Sequence, residues 1–160
     1  MRNITGILTS QTIKRLQHVK SGTCLLIDPE CSILEIKEIT KPRDLSASDV
    51  ELLCKLMLDA NSWYRCKKRC IPRNTAIISL DSPSGNVDVL IGIPCHHWRI
   101  LKPLKESGAF FFFDPIIEEI QMILKRTFPD LASPYKRSMW KQSVIRKLCI
   151  NASQSKPEKD

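Results

Sequence analysis

Three runs follow one another without a break: Thr75-Ala76-Ile77-Ile78-Ser79-Leu80, Asp81-Ser82-Pro83-Ser84-Gly85-Asn86 and Val87-Asp88-Val89-Leu90-Ile91-Gly92-Ile93. The outer two are rich in β-branched residues, which suit a pleated surface, and the middle one is a cluster of turn-formers too polar for a core. Together they predict a central β-hairpin over about 74–80 and 87–93. If Leu80 opposes Val87, then Ile78 opposes Val89. Continued outward, this register sets Pro72 against Cys95 and Cys70 against His97. Opposed residues share a sheet face, and the side-chain period is two. Cys70, Cys95 and His97 are therefore expected on the face of Val87, Val89, Ile91 and Ile93, and a slip of one residue would part the two cysteines. Pro72 and Pro94 donate nothing to a ladder and make the open end irregular.

Downstream, Trp98-Arg99-Ile100-Leu101 either continues the second strand past a bulge or forms a third. Phe110 to Phe113 follow Ala109 as the most hydrophobic segment. It reads as an extended stretch buried on both sides, the alternative being an exposed patch for a partner. Asp114-Pro115 has the order of a helix start, a cap residue and then proline. Ile116, Ile117, Ile120, Ile123 and Leu124 then give the apolar stripe of a helix over about 115–127. Glu118 and Glu119 near its start and Lys125 and Arg126 near its end suit the helix dipole. Ser133-Pro134 repeats the start signal for a last helix over about 134–149. Residues 151–160 are polar and read as a disordered tail.

Upstream, Ser48 and Glu51 have the spacing of a capping box. Val50, Leu53, Cys54 and Met57 recur at helical spacing, which predicts a helix over about 48–60 with Cys54 on its buried stripe. Trp63 and Tyr64 close it. Earlier still, residues 9–20 suggest a short helix and Cys24-Leu25-Leu26-Ile27 a strand. Ile33 to Ile39 suggests a second strand pairing back, and Lys41-Pro42-Arg43-Asp44 a connection. The whole predicts one α+β domain over 1–150, a small antiparallel sheet packed against two or three helices.

The chain has 160 residues, 42% hydrophobic and 26% charged, which is ordinary for a globular domain with a real core. Its net charge of +8 projects a positive field that favours acidic proteins, nucleic acid or anionic membranes. No stretch approaches the roughly 18–20 apolar residues of a membrane span. Met1 to Leu8 lacks the apolar core of a secretory signal. Seven irregularly spaced cysteines, an odd number, fit a reducing, cytoplasmic setting.

Chemistry concentrates around the hairpin's open end. Cys66, Cys70, Cys95 and His96 or His97 offer thiolate and imidazole, the ligand types of tetrahedral zinc. The alternatives are a Cys70–Cys95 disulfide, a thiol activated by Lys67, Lys68 and Arg69, a Cys–His nucleophile pair lacking an orienting group, or inert buried thiols. The inert reading leads, so no cofactor is expected, with zinc the one alternative. Arg65, Lys67, Lys68 and Arg69 form a basic run beside Trp63 and Tyr64 and are candidates for partner or phosphate contact. No phosphate-binding glycine loop, metalloprotease helix or hydrolase elbow is present, so an enzyme is not favoured.

Cys70-x-Pro72, Gly85-x-Val87-Asp88-Val89-Leu90, Cys95 and Phe128-Pro129-Asp130 together resemble a loose group of uncharacterised bacterial proteins. In these, a Cys-x-Pro segment precedes a Val-Asp strand ending in Cys-x-x-Cys, and a helix ends in Phe-Pro-Asp. The likeness covers about residues 48–130. This chain departs from the pattern at Gly92, where the first cysteine of the pair would stand. The resemblance implies the fold and carries no activity. The expected function is an intracellular protein-binding or regulatory domain, inhibitor- or immunity-like by analogy, whose basic surface meets an acidic partner. The alternatives are a zinc- or thiol-dependent protein and a nucleic-acid binder.

Overall fold

A computed structural model describes residues 3–29, 35–63, 73–103 and 111–131. Six strands form one antiparallel sheet: β1 (Ser21–Leu26), β2 (Arg43–Asp44), β3 (Ala76–Asp81), β4 (Val87–Gly92), β5 (His97–Lys102) and β6 (Phe111–Phe112). Their order across the sheet is β2-β1-β3-β4-β5-β6. Three α-helices accompany it among the described residues: α1 (Ser10–Leu16), α2 (Ala47–Leu58) and α3 (Ile117–Thr127). The α+β class expected from the sequence is the class observed.

The chain divides into two compact units, residues 1–127 and 128–160. All the elements above lie in the first. Of the second, only Phe128–Leu131 is described, with a 3-10 turn at Pro129–Leu131. The expected helix over 134–149, the boundary at 150 and the tail over 151–160 lie outside the described residues. No described helix is long and apolar enough to cross a membrane.

The central hairpin has the predicted register. Leu80 pairs with Val87, Ile78 with Val89 and Ala76 with Ile91. Its turn holds because Ser82 Oγ donates to the Gly85 carbonyl at 2.7 Å and Gly85 adopts φ of 112°, which favours glycine. The Arg15 guanidinium lies against Gly85 and donates to the Asn86 carbonyl at 2.9 Å, tying α1 to the turn.

The outward continuation of the hairpin does not occur. Beyond Gly92 the chain reverses through Ile93 to His96, and Gly92 pairs with His97. Trp98 to Leu101 thus belongs to a third strand. Pro94 explains the reversal, since a residue with no N–H interrupts the ladder there.

Sheet pairing assigns the faces. Cys24, Leu26, Ile78, Leu80, Val89, Ile91, Trp98 and Ile100 share one face and are buried. Leu45, just before α2, reaches Gly22 on this face, and α2 packs on β1 while α1 packs on β4. The opposite face is also apolar at its centre. Ile77 and Leu90 are 8% and 1% exposed, and with Ile27 they form a second cluster that Leu25 and Leu101 flank. The sheet therefore has apolar contacts on both sides, as the alternation-free run Val89-Leu90-Ile91 requires.

Other expectations are corrected. The N-cap of α2 is Ser46, whose hydroxyl accepts from the Asp49 N–H at 3.1 Å and donates to its carboxylate at 2.8 Å. Ser48 and Glu51 lie inside the helix, because the Ser46 hydroxyl, two residues before Ser48, already caps it at the Asp49 N–H. Cys54 is half-buried rather than on the core stripe, which Val50, Leu53 and Met57 fill. The strand pairing beside β1 is Arg43–Asp44, in the stretch read as a connection, while Ile33 to Ile39 contributes only a bridge between Ile27 and Glu38 among its described residues. Phe111 and Phe113 are buried and Phe112 is half-buried, so the exposed-patch alternative fails for these three.

Candidate functional site: the turn between β4 and β5

The chemistry-bearing residues that the fold brings together sit on the turn Ile93-Pro94-Cys95-His96. It closes with a bond from the His96 N–H to the Ile93 carbonyl at 3.2 Å. Cys95 is 5% exposed and disulfide-bonded. Cys24 and Cys54 are free, so the other half-cystine lies outside the described residues. For Cys95 the disulfide replaces the inert-thiol expectation. Burial pushes the Cys24 thiol up to about 12 and that of Cys54 up to about 11, which leaves both poor nucleophiles.

His96 adopts φ of 49°, the left-handed region, which a non-glycine residue occupies at a cost of order 1 kcal/mol. Three contacts hold it there. Its N–H meets the Ile93 carbonyl, its carbonyl accepts from the Phe113 N–H at 2.7 Å, and its Nδ1 lies 3.0 Å from Asp114 Oδ1. Its ring stacks on Phe113 at 6.2 Å. Phe113 in turn meets Trp98 at 5.6 Å, and Trp98 meets Trp63 at 4.4 Å. Trp63 is fixed by its indole N–H, which donates to the Met57 carbonyl at 2.8 Å. The turn thus rests on an aromatic stack that connects β5 to the end of α2.

His97 is placed differently from the expectation. It pairs with Gly92, so it lies on the face opposite Val89 and Ile91. It is buried there, its ring packed over the α-carbon of Gly92. A β-carbon at Gly92 would collide with that ring and come within 2.5 Å of the Arg73 carbonyl oxygen. This explains glycine at position 92.

Of the expected zinc set, Cys95 and His97 are described and Cys66 and Cys70 lie outside the described residues. Among the described residues, no three of His, Cys, Asp and Glu come together as a metal-binding group. The pair missed by sequence reasoning is His96 with Asp114. The order Asp114-Pro115 suggests a helix cap, but the 3-10 turn Asp114–Ile116 has Phe113 as N-cap and no side-chain cap. His96 lies in the turn and His97 begins β5, and their rings meet different neighbours, Asp114 and Gly92, so they do not serve one site together. An imidazole whose Nδ1 faces a carboxylate presents Nε2 as an oriented base. The adjacent sulfur, Cys95, is held in a disulfide and supplies no nucleophile in this state.

Arg65, Lys67, Lys68 and Arg69 also lie outside the described residues. What precedes and follows them is well anchored. Trp63 is buried in the aromatic stack. On the other side Thr75 donates its N–H to the Ile91 carbonyl at 2.7 Å and accepts from the Ile93 N–H at 3.1 Å. Residues 64–72 hold four cations and no carboxylate, and residues 132–160 hold seven cations and two carboxylates. Against a net +8, the remainder of the chain is within one charge of neutral.

No protein-family profile, characterised protein or solved structure matches this chain.

Proposed function

We propose that the protein is an intracellular binding module whose segment 64–72, carrying Arg65, Lys67, Lys68 and Arg69, engages an acidic protein surface. The observation that carries this reading is the uneven charge. The sheet and its helices are close to electrically balanced, while a short run of cations with no carboxylate spans two buried anchors, Trp63 and Thr75. Anchored flanks limit the conformations the run must give up on binding, which favours affinity. Concentrated charge gives rapid, salt-sensitive encounter with an acidic partner.

The test uses the full chain against two immobilised probes, poly-glutamate and duplex DNA, across a salt series. Binding to poly-glutamate that weakens with salt, and weakens further in the triple variant Lys67→Gln, Lys68→Gln and Arg69→Gln, is the expected result. An unchanged affinity in the triple variant removes this segment as the surface. Preference for DNA with a steep salt slope replaces the acidic protein with nucleic acid.

A further inference from the structure

Arg126, Lys102 and Lys37 each meet a carboxylate, whereas Arg15, in the last turn of α1, meets a carbonyl. Its guanidinium lies against the β3–β4 turn, with Cζ and Nη2 3.1 Å from the point where a β-carbon on Gly85 would stand. Nη1 donates to the Asn86 carbonyl, and Nε is out of solvent with no acceptor. A desolvated donor without a partner is costly, so a better acceptor nearby would draw the guanidinium from this position. We propose that Arg15 and the β3–β4 turn form a phosphoryl-binding site, filled by a phosphate monoester carried on Ser84 or by free inorganic phosphate.

Charge sets the sign of the ligand. Residues 3–27 contain no carboxylate, and Lys14, His18 and Lys20, which flank Arg15 in sequence, are exposed. Lys20 is held beside the turn, since its N–H donates to the Asp81 carbonyl at 2.9 Å. The two carboxylates that flank the turn are engaged elsewhere. Asp81 accepts from Ser21 Oγ at 3.3 Å, and Asp88 meets Lys102 Nζ at 3.0 Å. A guanidinium presents two parallel N–H groups to two phosphoryl oxygens, at roughly twice the strength of a bond between neutral groups.

Geometry singles out Ser84. It is exposed and adjoins Gly85. Its Oγ lies 3.3 Å from Ser82 Oγ, which itself donates to the Gly85 carbonyl at 2.7 Å. Both hydroxyls and the guanidinium thus meet around a residue with no side chain to separate them. Ser82 is the poorer phosphoacceptor, because its hydroxyl closes the turn. In a serine kinase, Ser84 Oγ attacks the γ-phosphorus of a nucleoside triphosphate. A new O–P bond forms, the bond to the departing nucleoside diphosphate breaks, and the hydroxyl proton passes to the kinase's base. The product carries about two negative charges at neutral pH. Arg15 exchanges the Asn86 carbonyl for this group, and an ion pair then ties the turn to α1. The site stands apart from segment 64–72 and does not rest on the binding reading above.

The experiment uses the full chain, unmodified and with phosphoserine inserted at position 84 during translation. Nitrogen-edited NMR follows the Arg15 Nε–H, and phosphorus NMR follows the phosphoryl group across pH. With phosphoserine in place, the Nε–H resonance should shift. The phosphoryl group should also lose its second proton several-fold more readily than in the free peptide 80–88, because a neighbouring cation favours the more charged form. Arg15→Gln should return that titration to the peptide's, while Lys14→Gln should leave most of the effect in place. If Arg15→Gln does not fold, the Nε–H resonance of the unaltered side chain decides alone. Sodium phosphate added to the unmodified chain tests the second source, against sodium chloride at equal ionic strength. A saturable Nε–H shift with phosphate alone assigns the site to the free ion as well, and a response to phosphoserine alone assigns it to the modified chain. A phosphate response that never saturates, with a phosphoserine that titrates as in the peptide and leaves Nε–H unmoved, means an adventitious ion only and overturns the proposal.

Discussion

Gly92 shows how much one hydrogen in place of a side chain decides. Where a side chain would stand, the His97 ring and the Arg73 carbonyl oxygen already fill the space. Gly92→Ala should therefore lower stability by about 1–3 kcal/mol in urea unfolding, as overpacking of a filled site does. Gly6 has nothing within 4 Å of the equivalent position, so Gly6→Ala should stay within about 0.5 kcal/mol of the parent. Asp49 makes a second residue-scale case. Burial raises its pKa, but hydrogen bonds from Arg126 and Ser46 and the charge of Arg126 outweigh this, so its carboxyl lies below the usual range. The Arg126 Nε–Asp49 Oδ1 distance is 3.1 Å. A depressed folded value means that the contribution is complete above the unfolded pKa of about 3.9 and is lost as pH falls through the folded one. The stability advantage of the parent over Asp49→Asn should thus be flat near neutrality and shrink below about pH 4 in urea midpoints measured against pH. The Asp49–Arg126 pair was beyond sequence reasoning, because its members stand on different helices and nothing local joins them.

At the scale of elements, helix interiors were legible and their ends less so. The apolar stripe of α3 was read from spacing alone, and Ile120 is 0% exposed. Ile120→Ala should cost about 2–5 kcal/mol in denaturant unfolding, and a loss below about 0.5 kcal/mol would mean that this face is not core. The end of α3 is also tied down, since Arg43 Nη1 donates to the Thr127 carbonyl at 3.2 Å. Ser48 and Glu51 have the spacing of a capping box, so the sequence points to a start of α2 at Ser48. In the fold, Ser46 wins because Asp49 is drawn inward by Arg126 as well as by the cap. Ser46→Ala should cost about 1 kcal/mol and Ser48→Ala a fraction of that, compared in the same unfolding series. β2 was not legible at all. A two-residue strand has no period to read, and it exists only because β1 offers an edge.

For the molecule as a whole, the arrangement of the sheet carries the main lesson. With apolar contacts on both faces, residues of opposite parity are equally core. Leu90, on the face away from α1 and α2, is 1% exposed. Leu90→Ala should cost about 2–5 kcal/mol, where a sheet packed on one side would lose far less at that parity. What the sequence by itself determined were patterns set within a few residues: the hairpin register from its turn and its β-branched runs, the stripe of α3 and the α+β class. These depend on backbone geometry and nearest neighbours, which repeat at fixed periods. The tertiary structure alone decided where the chain turned after Gly92, which face received His97 and that His96 would meet Asp114, eighteen positions away. Such choices depend on which surfaces remain unburied once the local pieces have formed, and that is a property of the whole chain rather than of any one stretch.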